Sequence, residues 1–356
     1  MTADGGGGAI RPARLTDRAA LIELSKRVHL SPDSYRRSLG VPAPSATLPR
    51  ISLSTFIPSW LPLRHPSVHL VAEQDGELVG SCRAVEEPGR DDWVIIELDA
   101  AEGPMSGEVR YALLRALIEE AQRRDVARFH AACSDARENL ELFGQLSFMA
   151  YAQEEILYRP PEVLRGPGSW LRRLLRRDGD RRVADRTAPE GRTVDLQPAG
   201  APDAWHLFDL WTHATPPAIA RIEGYQASDW EDVANEGVVP RSALNPLLHF
   251  SGVDAWLLPH EQRAGGFAQH GGCREGPHYL RFLIREGTDG ASFLRAVLAA
   301  MGPDAVGAGI LSPVRTYETA GLRAAAAVGF EPIGRVTLLV REVRAVVRQP
   351  AMVPAI

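Results

Sequence analysis

Apolar positions in the first half of the chain follow strand and helix spacings in turn. A short apolar strand at 9–13 precedes apolar residues spaced three or four apart at 21–28, which predict a helix. Two alternating segments, 69–73 and 78–85, flank an Asp-Gly pair. Because Asp-Gly favours the tight turn of a hairpin, these segments predict two antiparallel strands.

The rest of the first half continues the alternation of strands and helices. A third strand is predicted at 93–98, an Ala/Leu-rich helix at 109–124, a further strand at 127–133 and a closing strand at 149–158 after another helix. The predicted order is therefore strand, helix, three strands, helix, strand, helix, strand, which indicates a mixed α/β domain.

The second half repeats this pattern at an offset of 186 residues. Pro198 corresponds to Pro12 and Gly266 to Gly80, and Tyr279 is expected to correspond to Trp93 without a gap. The matching elements are strands at 194–198, 255–258, 265–270, 279–284, 305–311 and 331–341, with a helix at 291–301. Such self-similarity predicts two copies of one domain. We divide the chain into a tail (1–9), a first domain (10–158), an Arg-rich linker (159–192), a second domain (193–345) and a second tail (346–356).

Composition and charge restrict the class of protein. Hydrophobic residues make up 45% and charged residues 24%, as in ordinary globular domains, and the net charge of −5 offers no basic field for nucleic acid. No apolar run is long enough to span a membrane, and the glycine-rich N-terminus lacks a signal sequence. The three cysteines have neither metal-site nor disulfide spacing. We therefore expect a cytoplasmic protein without a metal, a nucleic-acid partner or a membrane span.

Two segments resemble the GNAT superfamily of N-acetyltransferases. The helix at 109–124 is similar to the one that follows the pyrophosphate loop in that family, and the sequence around Gly329-Phe330 is similar to its Gly-Phe ending. The resemblance implies two tandem GNAT-like acyl-CoA N-acyltransferase domains with an α/β fold built on a mixed sheet. It also implies acetyl-CoA as a co-substrate and an amine as the acceptor.

The resemblance places the acetyl-CoA site in the second domain. The family pattern Arg/Gln-x-x-Gly-x-Gly/Ala is partly matched by 285–290, where a threonine replaces the middle glycine, and is not matched by 105–110 in the first domain. Few side chains at a helix N-terminus suit a pyrophosphate, because free N–H groups and the helix dipole attract an anion. The implied cofactor-binding residues are Leu283, Ile284, Arg285, Gly287, Thr288 and Gly290.

Amine attack on a thioester needs a base and is helped by an acid. Glu97 lies mid-strand where the family often keeps its base, although a solvent-facing residue of an alternating strand is the favoured explanation. The tyrosine that the family often places in the last helix is absent, and Tyr317 is the nearest replacement or else a packing residue. His270 and His278 are weaker acid–base candidates and, with Cys273, form no zinc pattern.

The linker holds a short amphipathic segment at 170–177, with four apolar residues and four arginines. It fits a strap that docks on a domain, and contact with an anionic membrane or nucleic acid is the alternative.

We expect an acyl-CoA-dependent N-acyltransferase, an acyltransferase that transfers groups other than amino-acyl groups, with CoA held by the second domain. Its acceptor would be a small-molecule or peptide amine, contacted by the variable segments 31–66 and 215–251. The aromatic residues there suggest apolar walls, and core packing explains them equally: Tyr35, Phe56, Trp60, Tyr225 and Trp230. The alternative is a non-catalytic pair of domains that acts as a scaffold or as a sensor of acyl-CoA or another ligand. A homodimer is compatible with the sequence.

Overall fold

The computed structural model describes residues 9–31, 34, 37–39, 67–87, 90–161, 194–233, 241–243, 250–273 and 276–343. The chain forms two compact units. Unit 1 contains the N-terminal part of the chain as far as Gln153 and the segment that starts at Arg335. Unit 2 contains Glu154–Gly334.

The first half of the chain supplies six strands and three α-helices to the described structure. They are β1 (Ala9–Pro12), α1 (Arg18–Leu30), β2 (Ser67–Gln74), β3 (Glu77–Glu86), β4 (Asp92–Ala100), α2 (Ser106–Arg123), β5 (Arg128–Ser134), α3 (Arg137–Gln145) and β6 (Met149–Arg159). The predicted hairpin turns at Asp75 and Gly76, both with positive φ, which is the geometry that Asp-Gly favours.

The second half repeats this order. Its elements are β7 (Gln197–Pro198), α4 (Ala204–Ala214), α5 (Pro217–Glu223), β8 (Gly252–His260), β9 (Arg263–Gly272), β10 (His278–Ile284), α6 (Gly290–Met301), α7 (Pro303–Ala308), β11 (Ile310–Arg315), α8 (Thr319–Ala327) and β12 (Glu331–Glu342). Helices α5 and α7 are additions to it, which have no fully described counterpart in the first half. Short 3-10 turns lie at Leu15–Asp17, Ala201–Asp203 and Ala227–Trp230.

The sheet of unit 1 runs in the order β1-β2-β3-β4-β5-β12, and only the β4–β5 pair is parallel. Helix α1 packs Leu21 against Val71 on one face. Helix α2 buries Leu113 and Leu117 against Leu98 on the other face. Strands β2 and β3 thus contribute apolar side chains to both faces, as expected where helices cover a sheet on both sides.

The sheet of unit 2 has the same plan in the order β7-β8-β9-β10-β11-β6, with β10–β11 as its parallel pair. Helix α4 buries Leu207 and Trp211 against Leu283 on one face. Helices α6 and α8 cover the other face, where Phe293 contacts the cluster around Phe282. The predicted mixed α/β fold is therefore confirmed in both halves.

The last strand of each half lies in the unit formed by the other half. Strand β6 pairs with β11 from Ile310–Arg159 to Arg315–Glu154, and β12 pairs with β5 from Val336–Ser134 to Glu342–Arg128. The sequence pattern instead predicts that the strands 149–158 and 331–341 each complete the sheet of their own copy. The two compact units therefore differ from the predicted domains at these strands, because strand pairing over such separations leaves no local sequence signal.

The predicted repeat register holds only through the first three strands of each copy. Cross-strand pairs in β1–β3 and in β7–β9 agree with the offset of 186. The predicted correspondence of Trp93 with Tyr279 is wrong, because the strand pairing places Trp93 at the position of His278. The connection before β4 is one residue longer than that before β10. A bulge between Arg83 and Ala84 then accommodates Ile96 as an extra residue of β4.

One predicted strand is wrong in its position. The segment 305–311 was expected to be extended, whereas α7 covers Pro303–Ala308 and β11 begins only at Ile310. Gly302 and Gly309 flank α7 with φ of 84° and 83°. Proline at a helix start and glycine after its end are the usual boundary signals, and they outweigh the apolar character of the segment.

Several predicted features fall outside the described residues, including the linker segment 170–177, the second tail and the aromatic residues Tyr35, Phe56 and Trp60. Tyr225 and Trp230 are described, and both are buried in a cluster with Trp211. They are core residues and do not line an open acceptor pocket. Within the described helices, no segment has the length and apolarity needed to cross a membrane.

Candidate functional site

Strands β10 and β11 of unit 2 separate after a short paired stretch. Their parallel register comprises only His278–Ile310 and Tyr279–Leu311. On its other side β10 stays paired with β9 as far as Ile284–Gly266. The edge of β10 that faces β11 is therefore open beyond Tyr279, and we call this opening the unit 2 fork. Residues 280–284 are buried there, and the Phe282 carbonyl accepts a hydrogen bond from the Arg281 guanidinium over 2.7 Å. An extended ligand that pairs with this edge must therefore use the other backbone N–H and C=O groups.

The loop after β10 leads directly into the N-terminus of α6. Gly287 has φ of 86°, a conformation that favours glycine, and the Thr288 N–H donates to the Arg285 carbonyl over 3.1 Å. The Asp289 carboxylate caps the helix by accepting the Ser292 N–H over 3.1 Å. One amide of the helix N-terminus is thus already satisfied by a side chain of the protein.

Gly290 starts α6 because no larger residue fits there. A Cβ at this position would lie 2.9 Å from the Ala324 Cβ and 3.0 Å from the Ile284 Cδ1. Contacts this short require neighbouring atoms to move, so glycine lets the helix N-terminus approach both β10 and α8. The predicted importance of Gly290 thus has a packing cause that is independent of any ligand.

The side chains predicted to meet a phosphate are turned elsewhere. The Arg285 guanidinium donates to Asp209 Oδ2 over 2.6 Å and to the Ala264 carbonyl over 2.9 Å. The Thr288 hydroxyl is buried without a hydrogen-bond partner. Leu283 and Ile284 point into the two cores on either side of the sheet. Any ligand at this loop must therefore be bound mainly by backbone groups.

Tyr317, the nearest replacement for the absent family tyrosine, lies in the turn between β11 and α8 and precedes the first residue of that helix. It follows the C-terminal end of β11, at the open end of the fork. Burial raises the pKa of its hydroxyl above the ordinary value of a tyrosine, against the opposing effect of Arg315. The hydroxyl therefore keeps its proton at neutral pH.

A network of buried ions, missed by the sequence analysis, occupies the α4 side of the unit 2 sheet. Arg281 forms two hydrogen bonds with Glu318, of 2.9 Å and 2.5 Å. Arg315 contacts Glu154 at 3.1 Å and Glu223 at 2.6 Å. Burial raises the pKa of Glu154, and Arg315 opposes this shift. The sequence does contain one signal for this network, which is Arg281. An arginine inside an apolar strand requires a buried partner of opposite charge or hydrogen-bond acceptors.

Unit 1 contains a second fork, and Glu97 lies beyond its paired part. The parallel β4–β5 register ends at Ile95–Ala131. The Ser81 hydroxyl donates to Glu97, and His69 Nε2 lies 3.7 Å from Glu97 Oε1. Burial acts to raise the pKa of Glu97, but the contact with His69 and the hydrogen bond from Ser81 lower it to about 2. Glu97 is therefore a weakly basic carboxylate inside a polar cluster, and not the solvent-facing residue that the alternation also allowed.

Asp99 belongs to the same cluster and behaves oppositely. Its side chain is buried, and its Oδ2 has no hydrogen-bond partner. Burial and the neighbouring Glu97 charge raise the pKa of Asp99 well above its usual range. One ionised and one protonated carboxyl group therefore lie side by side on β4.

The position of Glu97 has a different occupant in unit 2. On the neighbouring strands, Glu97 lies opposite Arg83, and Arg281 lies opposite Gln269. Arg83 and Gln269 are equivalent positions of the repeat, because they are 186 residues apart. The corresponding residue is therefore Arg281, and not the Leu283 that an unbroken offset gives. The two units thus carry opposite charges at this point of the fork.

The loop of unit 1 also differs from the predicted alignment. Residues 106–110 form the first turns of α2, so they are no phosphate loop. By strand pairing, the segment that corresponds to 285–290 is 101–106, because the Ala101 N–H bonds Val79 as the Arg285 N–H bonds Gly265. This segment contains Pro104, which has no N–H, and α2 carries Glu108 in its first turn. Both features disfavour a pyrophosphate.

His270 and His278 form a stacked pair at the paired end of β10. His270 Nε2 lies 2.8 Å from His278 Nδ1, and the ring planes are 7° apart. Burial lowers the pKa of both imidazoles. Within the part of the chain that the structure describes, no three His, Cys, Asp or Glu side chains form a metal-binding group.

Comparison with solved structures gives matches over nearly the whole chain. A tandem GNAT protein from the clavulanic acid biosynthesis pathway aligns over 95% of this chain and 99% of its own, with 12% identity and a TM-score of 0.53. A GCN5-related N-acetyltransferase from Sphaerobacter thermophilus aligns over 95% and 96%, with 14% identity and a TM-score of 0.50. No protein-family model matches the sequence, and no curated sequence matches it significantly. At these identities the likeness concerns the fold.

Proposed function

We propose that this chain, which has the tandem GNAT fold, is an acyl-CoA-dependent N-acyltransferase whose acetyl-CoA binds to unit 2. The acceptor is a small-molecule or peptide amine. Solved structures with this fold include N-acetyltransferases, and their resemblance at low identity supports the reaction class without defining a substrate.

The unit 2 fork is the observation that carries this proposal. Beyond Tyr279 the β10 backbone has no strand partner on the β11 side. An extended pantetheine arm fits such an edge, because its amides can pair with the strand as another strand would. A backbone N–H at the same edge would also stabilise the oxyanion that forms when an amine attacks the thioester carbonyl.

The loop before α6 supports the phosphate end of the proposed site. Gly287 leaves space around the backbone, with no atom within 4 Å of its hypothetical Cβ, and the first turn of α6 contains no acidic residue. The dipole of α6 attracts an anion to this end. Asp289 opposes binding through its charge, so the pyrophosphate is expected at the backbone around Gly287 and away from the Asp289 cap.

The proposed proton chemistry uses no strongly basic side chain. Glu97, with a pKa of about 2, is poorly suited to remove a proton at neutral pH. Tyr317 is our candidate to stabilise the leaving thiolate. Because its pKa is raised and a free thiol has a pKa near 8.5, it would donate a hydrogen bond and keep its proton.

A binding protein without turnover is the second candidate. The observation that favours it is the weak basicity of Glu97, which has a pKa of about 2 and belongs to unit 1, whereas acetyl-CoA is proposed to bind to unit 2. The engagement of Arg285 by Asp209 and the burial of the Thr288 hydroxyl weaken phosphate binding in either candidate. Such a protein would bind acetyl-CoA and release no thiol in the presence of any amine.

Calorimetric titration with acetyl-CoA tests the location of the site. We expect Gly290→Trp to weaken binding at least about tenfold, equivalent to about 1.4 kcal/mol, because the side chain displaces the start of α6. Gly107→Trp is the matched control, since a Cβ at Gly107 in the first turn of α2 meets no atom within 4 Å. Circular dichroism must show that both variants are folded.

Thiol release from acetyl-CoA in the presence of a panel of amines separates the two candidates. Amine-dependent release supports the acyltransferase, and binding without release supports the sensor. No binding of acetyl-CoA to the wild-type protein would exclude both, and equal binding by the Gly290 variant would remove this loop as the site.

A further inference from the structure

Arg110 is a buried cation in unit 1 whose hydrogen-bond acceptors are all neutral. The residue is 5% exposed, near the N-terminal end of α2. Its guanidinium donates to Asn139 Oδ1 over 2.9 Å and to the Arg37 carbonyl. Its Nε is buried and has no hydrogen-bond partner. Across the described ranges, no carboxylate forms an ion pair with it.

The two fully buried arginines of unit 2 show the usual solution. Arg281 is paired with Glu318, and Arg315 is paired with carboxylates on two sides. A buried charge is costly unless a counter-charge and hydrogen bonds compensate it. Around Arg110 the balance is reversed: burial and the charge of Arg37 lower its pKa, and Glu138 and Cys133 oppose this shift.

The position of Arg110 suits an anionic ligand. Long helical side chains lean toward the helix N-terminus, so the guanidinium lies near the start of α2 and beside Asn139 in the first turn of α3. Asn139 Nδ2 donates to the Ser134 hydroxyl, at the end of β5, over 3.0 Å. Ligands of α/β sheets bind beyond the carboxyl ends of parallel strands. Glu108 and Glu138 in the first turns of α2 and α3 oppose an anion, so the attraction must come from the charge of Arg110.

We propose that Arg110, with Asn139 and Ser134, binds a small oxyanion in unit 1, with a carboxylate or a phosphate group as the recognised chemistry. The Arg110 Nε supplies an unused donor, and its guanidinium supplies the charge. This site is made from side chains and is separate from the acetyl-CoA site proposed for unit 2. It does not depend on that proposal.

Thermal unfolding of the full chain tests the site with inorganic phosphate and with acetate, each against chloride at equal ionic strength. At an anion concentration ten times the dissociation constant, the folded-to-unfolded ratio should rise about elevenfold. A response to phosphate alone or to acetate alone identifies the preferred anion, and a response to both assigns the general oxyanion class.

Two substitutions at the proposed site and one control substitution on α2 distinguish binding at Arg110 from a general effect of the anions on stability. Arg110→Leu should abolish the anion response, and leucine is tolerated because Leu294 occupies the corresponding position of α6. Asn139→Asp should also abolish it, and should raise the melting temperature in chloride, because it places a carboxylate beside Arg110. Arg115→Leu, on the exposed side of α2, should respond as the wild type does.

The proposal is overturned if neither anion stabilises the wild-type protein, or if Asn139→Asp keeps the wild-type response. The aspartate variant decides the matter even if Arg110→Leu fails to fold. A failure to bind acetyl-CoA would leave this result unaffected, so the two proposals fail separately.

Discussion

Glu154 and Arg315 face each other across neighbouring strands of unit 2, with Glu154 Oε1 3.1 Å from Arg315 Nε and both side chains fully buried. Glu154 belongs to the first half of the chain and Arg315 to the second. In unit 1 the corresponding pair is Ser134 and Val336, which carry no charges. The ion pair therefore favours the pairing of β6 with β11. If β12 lay beside β11 instead, Val336 would take the position of Glu154 and Arg315 would lose this carboxylate partner.

Replacement of Glu154 should strongly destabilise the protein. Glu154→Leu leaves Arg315 with Glu223 as its remaining carboxylate, and loss of one partner of a buried pair costs about 3–5 kcal/mol. The free energy of unfolding in urea measures the effect. Glu119→Leu removes an exposed pair with Arg115 and should change stability by less than about 1 kcal/mol. Equal effects of the two substitutions would show that the buried pair has no special role.

Asp99→Asn should stabilise the protein at neutral pH and leave it unchanged in acid. The raised pKa of Asp99 means that the folded state keeps its proton while the unfolded chain ionises near pH 3.9. Stability from this group is therefore present below that pH and is lost as the pH rises. Unfolding should show a gain on the order of 1–3 kcal/mol at pH 7, and none at pH 3.5. A gain of equal size at both values would contradict the assignment.

Two glycines at helix starts should respond oppositely to alanine. Gly290→Ala forces a Cβ to within 2.9 Å of the Ala324 Cβ and should cost about 1–3 kcal/mol. Gly107→Ala meets open space in α2 and should stabilise by about 0.4–1 kcal/mol. Denaturant midpoints of the two variants provide the comparison. If both variants gain stability, the close approach of α6 to α8 is not as tight as described.

Tyr317→Phe tests the proposed stabilisation of the leaving thiolate. Loss of a hydrogen-bond donor to a developing negative charge should lower kcat about ten- to a hundredfold, with little change in the KM for acetyl-CoA. Steady-state thiol release measures both constants. A rise in KM alone would assign Tyr317 to binding, and unchanged kinetics would leave it a packing residue.

Much of the framework could be predicted from the sequence because it depends on local patterns. The Asp75-Gly76 turn and the spacing of apolar residues in α2 and α6 give correct elements in both halves. The position of α7 was available from Pro303 and Gly309 but was hidden by its apolar composition. Local pattern thus predicted the elements better than their boundaries.

The features that the sequence did not give depend on contacts between distant residues. The bulge at Ile96 shifts the register of β4, and this shift makes Arg281 the counterpart of Glu97. The pairing of β6 with β11 depends on which strand lies beside Arg315. The inward turn of Arg285 depends on Asp209 in α4. None of these contacts produces a spacing signal in the sequence.

Hydrogen exchange with and without acetyl-CoA locates the bound molecule without a substitution. If acetyl-CoA binds to unit 2, exchange should slow for the amides in 280–284 and 287–292, at the unit 2 fork and the start of α6. The corresponding unit 1 segment 96–106 should be unchanged. Protection confined to 96–106, or no protection in either unit at saturating acetyl-CoA, would contradict the account.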